Sequence, residues 1–76
     1  SNEIVISNDG SIYINDKLIS INDLENLEQE IFELNNNGEL LILSAESESL
    51  HLWVITVMDI LNKYGFNEIQ IRTIEK

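Results

Sequence analysis

Seventy-six residues allow one domain, and a chain of this length buries only about 60–65% of its unfolded surface, so the core is small. No cysteine is present, so no disulfide adds to that core. Fourteen acidic against four basic residues give a formal charge of −10, which excludes nucleic-acid and anionic-membrane surfaces, since both need clustered Lys and Arg.

Ser1-Asn2 has the form of a scar left by expression-tag cleavage, leaving residues 3–76 as a single domain. Ile4, Val5 and Ile6 predict a short strand. Asn8-Asp9-Gly10 predicts a hairpin turn, because Asp-Gly supplies left-handed torsions. Ile12, Tyr13 and Ile14 form the return strand, Asn15-Asp16 a second turn and Lys17–Ile19 a short third strand. Ser20 is the predicted cap of a first helix, with Asp23 at its positive end. Ile21, Leu24, Leu27, Ile31 and Leu34 make its apolar stripe, widened by Phe32, and Asn35-Asn36-Asn37-Gly38 ends it.

Leu40–Leu43 is an unbroken apolar run, the pattern of a central strand covered on both faces. Ser47 or Ser49 caps a second helix that runs to Tyr64. Gly65 stops it, tolerating the positive φ that a helix end needs. Ile69, Ile71 and Thr73 then alternate with Gln70 and Arg72, the period of a half-buried strand. The predicted class is α/β (α+β), order ββ(β)αβαβ: a small mixed sheet with two helices on one face, its last two strands parallel through a right-handed crossover.

Ile4, Ile6, Ile12, Ile14, Ile69 and Ile71 are assigned to the helix-covered face. Val5, Tyr13, Gln70, Arg72 and one alternate pair of Leu40–Leu43 look outward. On the second helix Leu50, Trp53, Val54, Val57, Met58, Ile60, Leu61 and Tyr64 share a broad face, with Trp53 and Met58 read as core. Leu52 and Ile55 fall on the polar side with Asp59, Asn62 and Lys63. Val5, Tyr13, Leu52 and Ile55 are therefore the candidate partner contacts.

The second half resembles the periplasmic domain of the ExbD/TolR family of biopolymer-transport proteins. In that family a strand ending in Ala-Asp leads through a short loop to a helix rich in Val-Met-Asp and Leu. Gly-Phe and an Ile-x-Ile-x-Thr strand follow. The counterparts are Ala45-Glu46, Val57-Met58-Asp59 with Leu61, Gly65-Phe66, and Ile69-Gln70-Ile71-Arg72-Thr73. Asp9-Gly10-Ser11-Ile12-Tyr13-Ile14, Lys17, Ser20-Ile21 and Leu24 resemble the family's glycine turn, strand, basic residue and helix start. The chain departs at Glu46, where Asp is usual, and at Leu50-His51-Leu52, where the family often has Pro-Tyr-Gly.

The resemblance implies the periplasmic domain of a single-pass inner-membrane protein, anchored by a transmembrane helix that this sequence does not include. It implies an ExbB/TolQ-like channel partner, a TonB- or TolA-like transducer, and a homodimer in the working assembly, with a peptidoglycan contact left open. Proton flow in that family is turned into mechanical work, and its proton-carrying aspartate lies in the membrane helix. Asp59, on a soluble helix, does not match it. No run here approaches the roughly 18–20 apolar residues of a membrane span.

The residues themselves leave two rival classes: a free-standing acidic interaction domain like an anti-sigma antagonist, and a small ligand- or metal-binding module. Ser47-Glu48-Ser49 lacks the phosphorylation loop of the first. The second rests on Glu46–His51, whose ordinary reading is a solvated loop before a helix cap. Catalysis, cofactor and metal sites are not expected: His51 is the only histidine, and no Gly-rich phosphate cradle is present. Glu25, Glu28, Glu30 and Glu33 are read as a solvated helix face. An extended peptide adding to a sheet edge is a further mode of partner contact.

Overall fold

The computed structural model describes residues 1–19, 23–34 and 39–75. In chain order these form β1 (Asn2–Ile6), β2 (Ile12–Ile14), β3 (Lys17–Ile19), α1 (Leu24–Phe32), β4 (Leu41–Glu46), α2 (His51–Lys63) and β5 (Ile69–Ile74). The strands make one mixed sheet in the order β3-β2-β1-β4-β5. β1, β4 and β5 run parallel, and β2 and β3 are added by antiparallel hairpins.

Local chemistry sets the turns. Gly10 takes φ +89° at the first hairpin, where its N–H donates to the Ser7 carbonyl at 3.0 Å. Asp9 does not share the left-handed torsion; its carboxylate instead accepts from the Ser11 N–H at 2.9 Å. At the second hairpin both Asn15 (φ 48°) and Asp16 (φ 71°) are left-handed, the two-residue turn that matches the twist of paired strands. Asn15 Oδ1 also accepts from the Glu3 N–H at 2.9 Å, extending the β1–β2 ladder through a side chain.

Both helix starts differ from expectation, and α1 ends at Phe32, before Leu34 of its expected stripe. The N-cap of α1 is Asp23, whose carboxylate accepts from the Asn26 N–H at 3.0 Å; Ser20, Ile21 and the Asn35–Gly38 run lie outside the described residues. Leu50, not Ser47 or Ser49, is the N-cap of α2, with no side-chain capping bond. The C-terminal stop is as predicted: Gly65 (φ 83°) donates to the Asn62 carbonyl and Phe66 to the Leu61 carbonyl. That paired pattern is a Schellman motif, and the buried Phe66 and Leu61 supply its apolar contact.

One core unites both helices with one sheet face. Leu27 and Ile31 of α1, and Val57, Ile60 and Leu61 of α2, pack with Ile4, Ile6, Ile12, Ile14, Ile19, Leu41 and Leu43. β4 starts at Leu41 rather than Leu40 and continues to Glu46, and Ile42 is only half-buried. Leu41 and Leu43 face the helices, while Ile42 shares the other face with Glu3 and Gln70. Ile71 departs from the expected core. It lies in register with buried Leu43 yet is 53% exposed, because β5 is the edge strand. Trp53 and Met58 are half-buried at the core margin.

Candidate functional site

β1, β4 and β5 end on the same side of the sheet, where parallel strands commonly present functional loops. There the Asn8 N–H donates to Glu46 Oε1 at 2.7 Å, and the Glu48 N–H donates to Asn8 Oδ1 at 3.0 Å. These two bonds tie the first hairpin turn to the loop between β4 and α2. Glu46 is 8% exposed, so the solvated-loop reading of Glu46–His51 is corrected at its first residue: the carboxylate is turned inward onto a backbone donor. A Cβ placed on Gly10 would sit 3.4 Å from Trp53 Nε1, so the turn also rests against α2. His51 is exposed, and no group of three His, Cys, Asp or Glu among the described residues is arranged to hold a metal.

The candidate contact residues fall on two surfaces. Cross-strand register places Leu18, Tyr13, Val5, Ser44 and Arg72 in a single row across the sheet face away from the helices. Val5 and Tyr13 are half-buried in that row, and Leu18 is exposed. Three-residue β3 is too short to show a period, which is why Leu18 escaped the sequence reading. Leu52 (63% exposed) and Ile55 (40%) lie on the outer side of α2, across the domain. Ile71 adds an exposed apolar side chain on the free edge of β5.

A third feature lies between the helices. Glu25, Glu28, Gln29 and Phe32 of α1, with Tyr64 at the end of α2, line an open cavity of about 340 Å³. Phe32 does not widen the core stripe as expected. It is 63% exposed and meets the Tyr64 ring edge-on, with centroids 5.3 Å apart. Tyr64 Oη donates to Glu28 Oε1 at 2.8 Å. Lys63 Nζ donates to the same oxygen and lies 5.4 Å from the Tyr64 ring centroid. The Lys63 hydrogen bond, then that of Tyr64, holds the Glu28 carboxyl below its ordinary range. The Glu28 carboxylate raises Lys63 and Tyr64 in return.

On the other flank Lys17 pairs with Glu30, which raises the Lys17 ammonium above its usual value. The acidic face of α1 is thus only partly the free solvated surface expected: Glu25 and Glu33 are exposed, whereas Glu28 and Glu30 hold lysines. Sequence reasoning could not find these pairs, since Glu28 and Lys63 are 35 residues apart.

A family model for the biopolymer transport protein ExbD/TolR matches residues 1–76. The chain belongs to the ExbD/TolR family. The match takes in all five strands and both helices. No curated protein matches the chain. ExbD/TolR proteins are transport-associated subunits that work with partners in energy-transducing complexes, membrane-anchored with a periplasmic domain. Among the described residues no helix is long and apolar enough to cross a membrane. Among the described residues, exposed apolar side chains lie on the β5 edge, on the open sheet face and on the outer sides of the two helices.

Proposed function

We propose that this chain is the periplasmic domain of an ExbD/TolR-like subunit in a proton-motive-force-driven complex, and that it acts by protein contact without catalysis. The family match over residues 1–76 carries this reading. A preceding membrane helix would anchor the domain beside an ExbB/TolQ-like channel and hold the proton-carrying aspartate. The domain would then pass movement to a TonB- or TolA-like transducer that supports outer-membrane transport or envelope integrity.

The free edge of β5 supports a homodimer in that assembly. An edge strand presents unpaired N–H and C=O groups, and natural sheets guard them with proline, charge or short length. β5 is six residues long, and the chain has no proline. Its one charge, Arg72, lies on the open face, and Ile71 is exposed on the other. Two β5 strands meeting across a twofold axis would bury Ile71 of both copies. Val5, Tyr13, Leu52 and Ile55 are then the contacts left for the transducer and the wall.

Photo-crosslinking in cells from positions 5, 52 and 71 tests the assignment. Adducts to a second copy from position 71, and to a TonB- or TolA-like protein from 5 or 52, are expected. Absence of any envelope-protein adduct would overturn it. The encoding reading frame provides a second check: a single hydrophobic span carrying an aspartate, just upstream of Glu3, is required.

A further inference from the structure

We propose that the groove between Phe32 and Tyr64 is a docking site for a lysine or arginine side chain on an extended basic segment of a partner protein. Three observations meet there. The first is charge: Glu25 is exposed with no ion pair among the described residues, and Glu28 is held in its ionised form. The second is the lining. Phe32 offers most of its ring to solvent and Tyr64 stands edge-on beside it. A cation gains from ring faces and from carboxylates together, while its alkyl stem covers apolar surface. The third is that two of the lining residues already take such a group: the Lys63 ammonium donates to Glu28 and lies 5.4 Å from the Tyr64 ring centroid.

The open cavity of about 340 Å³ is lined by Glu25 and Gln29 as well as by Glu28, Phe32 and Tyr64. A formal charge of −10 would draw a basic segment toward the domain and repel an acidic one. The groove shares no residue with the β5 edge, so this inference stands apart from the dimer.

The test is a titration of the chain with tetralysine amide, followed by NMR, beside the same peptide with every lysine acetylated. Shifts concentrated at Glu25, Gln29, Phe32 and Tyr64 with the charged peptide only are expected, weakening as salt is added. Phe32→Leu keeps an apolar side chain and removes the ring; it should weaken binding roughly two- to fivefold. Lys63→Gln vacates Glu28 for the incoming cation and should tighten binding by a similar factor. Sedimentation of Phe32→Leu should match the parent chain, which separates this site from self-association. Shifts spread evenly over all acidic residues, or equal affinities in the parent, Phe32→Leu and Lys63→Gln, would overturn the proposal.

Discussion

Asn8 and Glu46, 38 residues apart, are joined by a backbone N–H donating to a carboxylate at 2.7 Å. The bond links the first hairpin to the end of β4, and Glu46 is almost wholly buried there. A hydrogen bond to a charged acceptor contributes about 1.5–3 kcal/mol. Glu46→Ala should therefore destabilise the domain by about 2 kcal/mol. In a chain of this size that lowers the melting temperature by roughly 8–16 °C. Glu46→Gln keeps an acceptor oxygen and should lose less than half as much. Calorimetry of the two variants decides it; equal losses would show that packing, not the bond, holds the turn.

That contact also marks what the sequence could and could not reveal. Strand and helix order were legible because period-two and helical patterns are local, and because Gly10, Asn15-Asp16 and Gly65 punctuate them with specific torsions. The N-caps were not: Asp23 and Ser20 are equally plausible from composition, and Leu50 caps without any polar side chain. The fate of Glu46, Glu28 and Phe32 depended on partners 32 to 38 residues away in the chain. Burial of Ile71 depended on how far two helices spread over five strands, which no single segment encodes.

Gly10 and Trp53 offer a second test. Gly10 adopts φ +89°, and an added Cβ would stand 3.4 Å from the indole nitrogen. Left-handed torsion costs a residue with a Cβ about 1–2 kcal/mol. Gly10→Ala should destabilise by about that amount and shift the emission of Trp53, the only tryptophan in the chain. Urea unfolding followed by fluorescence reads both effects at once; unchanged stability would mean that the turn relaxes to another form.

The Glu28–Lys63–Tyr64 cluster gives a pH dependence of definite sign. The folded pKa of Glu28 is lowered from 4.5, so the stability it adds is present above that value and lost as pH falls through the folded one. Lys63 and Tyr64 are raised from 10.5 and 10.0, so their contribution is present below those values and lost as pH rises through the folded ones. Between them lies a plateau. The stability difference between the parent chain and Glu28→Gln should be constant from pH 6 to 9 and shrink below about pH 4.5. Because the Lys63–Glu28 pair lies at the surface, the difference should also fall with added salt. A difference independent of pH would assign the effect to packing of the Glu28 stem.

Leu43 and Ile71 face the helices from neighbouring strands in strict register, one fully buried and the other mostly exposed. Truncation should separate them. Leu43→Ala leaves a cavity in a small core and should cost about 2–5 kcal/mol, enough to threaten folding in a domain of this size. Ile71→Ala should cost under about 1 kcal/mol in the monomer, since little area leaves the core. If β5 meets a second copy, however, Ile71 is buried in the dimer alone. Its truncation, and more strongly Ile71→Lys, would then weaken self-association while leaving the unfolding midpoint of dilute chain nearly unchanged. Sedimentation across a concentration series, beside denaturation at low concentration, distinguishes the two roles. Loss of monomer stability equal to that of Leu43→Ala would place Ile71 in the core and remove the exposed edge on which the dimer rests.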